Sequence, residues 1–280
     1  MSLVAIRCQT CGGAVAMEAG RTLPRCLFCG ADAPVPEALP DDVVPPKAVV
    51  AFQVDASGAQ GSFETFAGSR WLHPKDLRQA RVELSALLFP AWLWSGRVEH
   101  HYAGLARAAT RSGKRPQTGT TTLAHQGFPV PASQTLTAGE LQALAPFPCG
   151  ETRAFDPESL DVPFELGSLS ERAARALATR HMQANDAQRI ASDQGLSDLS
   201  VSCLFHDLVG QPILVPIWIG AYRYRDTAYR VVINGETGEL TGKGPIDWAK
   251  VLALGAAVLV ALIVAAAVLG GGGSPPRLRP

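Results

Sequence analysis

The chain has 280 residues, 47% of them hydrophobic and 18% charged, with 25 Lys and Arg against 25 Asp and Glu. That length and apolar content exclude a mainly disordered or collagenous chain. The charge balance excludes a global basic field that would gather nucleic acid or an anionic membrane around the whole molecule.

The first feature in chain order is a cysteine quartet. Cys8-Gln9-Thr10-Cys11 and Cys26-Leu27-Phe28-Cys29 are two C-x-x-C pairs with fourteen residues between them. Each pair can place two thiolates on one ion, and two pairs complete a tetrahedron of ~2.3 Å Zn–S bonds. Gly12 and Gly30 each follow the second cysteine of a pair, where a turn with positive φ is useful. Segments 14–17 and 22–25 read as two short strands around a turn at 18–21. Residues 1–33 are therefore expected to form a zinc ribbon, with Cys8, Cys11, Cys26 and Cys29 holding one Zn2+ per chain. Four thiolates leave no open position for water or substrate, so the expected ion is structural. Two disulfides or a redox dithiol are the rival readings, but a redox C-x-x-C belongs in a βαβ context and needs no second pair. Arg7, Arg21 and Arg25 stand against Glu18 alone in residues 1–30, and Asp32, Glu37, Asp41 and Asp42 follow. Phosphate binding wants a more clustered basic surface than this, so nucleic acid is not the expected partner.

Residues 34–46 hold five prolines and three acids, the composition of an extended, semi-rigid linker that holds the ribbon apart from a body at 47–247. Within the body, Leu88-Phe89-Pro90-Ala91-Trp92-Leu93 recurs as Leu214-Val215-Pro216-Ile217-Trp218-Ile219. Two related β units are expected, with each proline at an edge or a strand start because it cannot donate to a ladder. Between them lies helical sequence. A Ser168-x-x-Glu171 capping box opens a run through Ala173, Ala176, Leu177, Met182 and Ile190 that Gly195 closes, with Glu171, Asp186 and Asp193 on its solvated side. Thr137-x-x-Glu140 is a second box before a short helix. Asn234-Gly235 suits a turn that pairs 229–233 with 239–241. The glycines there make no phosphate loop, since no G-x-x-x-x-G-K-[ST] occurs. The fold class is α+β.

No enzyme and no catalytic residue is expected. His73, His100, His101, His125, His181 and His206 are scattered, and Cys149 and Cys203 stand outside the quartet. His100 and His101 would point to opposite faces of a strand. His206-Asp207 lies near Cys203, but no nucleophile elbow or oxyanion loop accompanies it.

From Val251 to Leu269 nineteen consecutive residues are Val, Leu, Ile, Ala or Gly. As a helix that run reaches roughly 28 Å, close to the ~30 Å of bilayer hydrocarbon, so 248–269 is expected to span a membrane and 270–280 to form a short tail. Trp248 and Lys250 stand at its start, where an indole prefers the headgroup zone and an ammonium can snorkel. Ala253, Ala257, Ala261 and Ala265 make a stripe that the alanine content alone accounts for. Lys243 and Lys250 before the span balance Arg277 and Arg279 after it, so charge bias does not orient it. Metal-binding thiols belong in a reducing compartment, and Met1 to Ile6 leaves no room for a secretory signal. The body is therefore expected on the cytoplasmic side of the inner membrane.

The cysteines, Trp71-Leu72-His73-Pro74, Phe89-Pro90-Ala91-Trp92, Phe155-Asp156-Pro157-Glu158, Val215-Pro216-Ile217-Trp218 and 229–238 occur in an order that resembles a bacterial family. That family comprises membrane-anchored zinc-ribbon proteins often labelled primosomal protein N-prime or helicase-like. The label implies DNA unwinding, yet no helicase nucleotide motif is present in this sequence. The resemblance also implies partnership with flotillin-like or phage-shock-type membrane proteins. The expected function is thus a single-pass, non-enzymatic adaptor that meets the lipid bilayer through 251–269 and protein partners at its cytoplasmic face. The alternative is a membrane-tethered nucleic-acid-binding zinc-ribbon protein.

Overall fold

A computed structural model of the chain describes residues 3–18, 20, 22–32, 34–37, 44–69, 71–107, 113–225 and 227–270. In chain order these form β1 (Leu3–Arg7), β2 (Ala14–Glu18), β3 (Val35–Glu37), β4 (Ala48–Val50), α1 (Ala56–Ser69), β5 (Glu83–Arg107), β6 (Lys114–Pro131) and α2 (Ala138–Ala143). Then follow β7 (Thr152–Ala154), β8 (Phe164–Glu165), α3 (Glu171–Gln194), β9 (Leu196–Tyr224), β10 (Thr227–Asn234), β11 (Leu240–Gly242) and α4 (Trp248–Gly270). The α+β class is as expected. All eleven strands belong to one sheet, whose main path runs β11-β10-β9-β5-β8-β2-β1-β3.

Two very long strands, β5 and β9, form its spine as an antiparallel pair from Glu83↔Ala221 to Ala106↔Leu196. Their residue chemistry changes along the way. Between Leu84 and Trp94 apolar residues run almost unbroken, as a strand buried on both faces requires. Beyond Ser95 the burial alternates, with Val98, His100 and Ala106 inside and Arg97, His101 and Ala103 outside. The change coincides with a bulge between Ser95 and Arg97, opposite which Asp207 takes a left-handed φ of 51°. The outer half, β5 with β6 and β9, makes an arm whose inner face is covered by α3.

Pro90 and Pro216 lie inside these long strands, not at edges or starts as expected. The ladder tolerates them because each sits where its strand changes neighbours. Leu88 donates to Pro163 beside β8, whereas pairing with β6 begins only at Ala91, so the N–H that Pro90 lacks would fall in the seam. Pro216 follows the parallel pairing of β9 with β4, which ends at Leu214, and precedes the pairing with β10, which begins at Ile217.

Helix α3 is capped by Ser170, whose Oγ accepts from the Ala173 N–H, so the expected box at Ser168 is displaced by two residues. Gly195 ends it at φ 61°, as the sequence indicated. Its buried positions are Ala174, Ala178, Met182, Asp186 and Ile190. Asp186, expected on the solvated side, is therefore inside. The Thr137 box of α2 is present in full. At the β10–β11 turn the positive φ falls at Gly238, while Asn234 is fully buried and its Oδ1 accepts from the backbone N–H groups of Glu236 and Thr237.

The cysteine module is not held apart from the body. Val35–Glu37 is a strand paired to β1, and β2 joins the body's sheet through Val15↔Glu165 and Ala16↔Phe164. Ile6, Cys8, Val15, Cys26 and Phe28 share one buried cluster with Leu87, Phe89, Leu141, Val215 and Ile217. The composition of a spacer was misleading because apolar residues of the module itself complete the central core. Asp41 and Asp42, part of the expected linker, lie outside the described residues.

Candidate metal centre

The two cysteine pairs sit on matching turns. In the first, Gly12 N donates to Cys8 O at 2.9 Å and Cys8 N to Gly13 O at 2.9 Å; in the second, Gly30 N donates to Cys26 O at 2.9 Å and Cys26 N to Ala31 O at 2.8 Å. Gly12 and Gly30 have φ of 75° and 73°, where a β-carbon would strain the turn. Each turn thereby points two sulfurs into the same space. The preceding strand is β1, hydrogen-bonded to β2. The expected second strand at 22–25 is reduced to a single bridge between Arg25 and Asp32. Of the turn expected between the two strands, residues 19 and 21 lie outside the described ones.

Cys8 Sγ lies 3.7 Å from Cys29 Sγ and Cys11 Sγ 3.6 Å from Cys26 Sγ, and all four sulfurs are within 4.8 Å of one another. A tetrahedron with ~2.3 Å metal–sulfur bonds has edges of roughly 3.8 Å, so the quartet fits an ion with little movement. The separations are nearly twice a disulfide bond of ~2.05 Å, and all four cysteines are free thiols. Cys8 and Cys26 are buried, while Cys11 and Cys29 reach the surface.

The acid–base behaviour of the quartet matches a site built for a cation. Burial works against ionising Cys8, but the backbone N–H groups of Cys11 and Thr10 outweigh it and bring the thiol down to about 6. Cys26 moves the other way, raised by burial and by its neighbouring thiols, and burial raises Cys11 as well. Cys8 thus ionises more readily than Cys11 and Cys26, whose burial resists a bare thiolate. A bound metal cation removes that resistance.

Two of the three arginines of this module are partnered. Arg7 pairs with Glu37 at 2.6 Å and Arg25 with Asp32 at 3.2 Å. Arg21 lies outside the described residues.

A second polar cluster, which the sequence did not point to, lies under α3. His100 and Cys203 are direct cross-strand partners, with Nδ1 and Sγ 3.2 Å apart. Asp186 Oδ2 accepts a hydrogen bond from His125 Nε2 at 2.9 Å; His100 Nε2 is equally close to that oxygen but off a hydrogen-bond line. His100 is fully buried and Asp186 nearly so. The signal that would have found this cluster is the four-residue step Ala174, Ala178, Met182, Asp186, which puts the acid on the apolar stripe. Cys203 is raised above an ordinary thiol by burial and by the charge of Asp186, and burial takes Cys149 up to about 11. Neither has the lowered value of an activated nucleophile. His101, on the opposite face from His100 as expected, is 3.1 Å from Glu99, and His206 is 3.3 Å from the same carboxylate. Asp207 pairs with Arg97, so the imagined Cys203–His206–Asp207 grouping is not assembled. His73 is buried with its ring edge-on to Phe66.

Helix α4 is long and apolar enough to cross a membrane, with 0% of its Trp248–Ala266 stretch buried inside the protein. An uncovered helix that is hydrophobic on every side belongs in lipid or against another protein surface. Comparison with protein-family models, curated proteins and solved structures finds no match.

Proposed function

We propose that the chain is a single-pass membrane adaptor: a zinc-stapled α+β body on the cytoplasmic side of the inner membrane, tethered by α4, that binds a protein partner. The observation that carries this reading is the pairing of a closed four-sulfur site with an uncovered apolar helix. One feature has no coordination position left for chemistry, and the other is long and apolar enough to serve as an anchor. Zinc suits the tetrahedral, all-thiolate donor set. Bound there, Zn2+ would neutralise the crowded thiolates of Cys8, Cys11, Cys26 and Cys29 and cross-link their two turns.

The surface we assign to the partner is the outer face of the β5–β6–β9 arm, opposite α3. Thr118, Thr120, Thr122, Ser200, Ser202 and Leu204 are all exposed along it. Leu204, 53% exposed in mid-strand, gives this face a large apolar side chain. We also read the two Pro-x-Trp segments as related β units. Support comes from their shared position, each at the point where a long strand exchanges a parallel neighbour for an antiparallel one. Paired arginines in the cysteine module weigh against the nucleic-acid alternative.

The test is chemical cross-linking in intact membranes followed by purification of the chain, comparing the unaltered protein with Leu204→Arg. Recovery of one dominant protein partner that the variant loses supports the reading. No cross-linked protein, or the same set with both, refutes it.

A further inference from the structure

The segment that leads into α4 does not hang free from the body. Asp247 caps the helix, its Oδ1 accepting from Ala249 N at 3.1 Å, and its own N–H donates to Leu72 O at 2.8 Å. Lys250 reaches back from the first turn and donates to Trp71 O at 2.9 Å and His73 O at 2.6 Å, with Asp247 Oδ2 at 3.6 Å. Gly244 lies against the His73 ring so closely that a β-carbon there would come within 2.5 Å of Nε2. The loop at 71–74 and the start of α4 are thus fastened together by backbone atoms and one ammonium group. Lys250 does not snorkel toward solvent as the sequence alone indicated; its charge is spent inside the joint.

The same joint turns apolar side chains outward. Trp71 is 61% exposed, Leu72 38%, Ile246 50% and Trp248 68%. Among the described residues, six large apolar side chains outside α4 are exposed, and three of them gather here. Such clustering is not the single scatter normal for a soluble surface.

We propose that Trp71 and Leu72 form a second, non-spanning membrane contact, seated in the headgroup–acyl boundary of the leaflet where α4 begins, with glycerophospholipid as the ligand. The inference rests on reading α4 as a span. Given that reading, geometry leaves the loop little choice. Lys250 is two residues past Trp248, only ~3 Å along a helix axis, so the carbonyls it holds lie level with the first turn of the span. An indole and a leucine exposed at that level meet the interface that tryptophan prefers, beside the matching indole of Trp248. A water-soluble partner is disfavoured, because the bilayer continuous with α4 already occupies the space beside this loop.

The experiment uses the full chain reconstituted in phosphatidylcholine vesicles brominated near the carbonyl end of the acyl chains, with tryptophan emission as the readout. Trp92 and Trp94 are buried and Trp218 donates to Val54 O within the body, so quenching reports Trp71 and Trp248. Trp71→Phe is expected to remove a share of the lipid quenching comparable to that removed by Trp248→Phe. In a Trp248→Phe background, Lys250→Met is expected to reduce the remaining quenching by releasing the loop. Quenching that survives Trp71→Phe intact and vanishes with Trp248→Phe would overturn the proposal while leaving the span in place. Loss of the protein from the vesicles on alkaline carbonate washing would instead overturn the span and the loop contact with it.

Discussion

Glu165 offers the sharpest energetic test of how the cysteine module joins the body. It lies on β8, directly opposite Val15 of β2, and is 2% exposed. Burial pushes its carboxyl from 4.5 to about 7, although hydrogen bonds from Thr135 and Ser133 and the charge of Arg230 pull the other way. Thr135 Oγ1 lies 2.6 and 2.7 Å from the two carboxyl oxygens. The folded protein therefore holds this proton more tightly than the unfolded chain does. Between about pH 4.5 and 7 the unfolded state has lost the proton and the folded state has not, so stability falls as pH rises. Each tenfold gain in proton affinity on folding is worth ~1.4 kcal/mol, so the full loss above pH 7 is about 3 kcal/mol. Glu165→Gln keeps the shape, stays neutral and removes this dependence. With the metal-loaded chain in lipid nanodiscs, unfolding followed by near-ultraviolet circular dichroism is expected to show variant and unaltered protein within about 1 kcal/mol of each other near pH 5. Near pH 8 the variant is expected to be more stable by about 3 kcal/mol. Because the two proteins are compared at each pH, every other titrating group cancels. An equal difference at both pH values would refute the reasoning, since the carboxyl would then not be titrating across that window.

Other consequences can be checked in the same format. Removing metal with a chelator, or Cys26→Ser, is expected to lower the unfolding temperature by on the order of 10 °C and to unfold body and module in one transition, because both share one core; a small separate transition for the module would contradict this. Asp186→Ala leaves the buried His100 and the half-buried His125 without their carboxylate and is expected to cost about 2 kcal/mol, seen as faster hydrogen exchange confined to α3 and the arm. Gly220→Ala would bring a β-carbon to 2.6 Å from the Glu83 carbonyl, a backbone atom that cannot step aside, at a cost of about 1–3 kcal/mol. Gly139→Ala, which meets nothing within 4 Å on the exposed side of α2, is expected to be neutral or to stabilise by under about 1 kcal/mol.

What was legible in the sequence was what local spacing encodes. The quartet is readable because the chemistry of a tetrahedral ion fixes both the C-x-x-C step and the glycine after it. The apolar run of α4, the Thr137 box and Gly195 are similarly local signals. The failures all involve distant partners. Residues 34–46 have the proline content of a spacer, but whether the module stands apart depends on the fit of Ile6, Val15 and Phe28 against strands some 70 to 200 positions later. Pro90 and Pro216 read as strand edges because the seam that absorbs their missing donors is made by residues of β8, β6, β4 and β10 that are remote from either proline along the chain. Asp186 was given to solvent because its charge outweighed its place in the four-residue step, and its imidazole partners come from two other strands. Trp71-Leu72-His73-Pro74 stood out as a motif, but only its carbonyls' contact with Lys250 gives it a location.

The most direct measurement is the zinc content of the chain purified from membranes already washed with alkaline carbonate, which interrogates both ends of the molecule at once. About one zinc ion per chain, retained through dialysis, is expected. Protein released into the carbonate wash, or retained protein that carries no tightly held zinc, would contradict the claim that a sulfur-caged ion and a lipid-spanning helix define this protein.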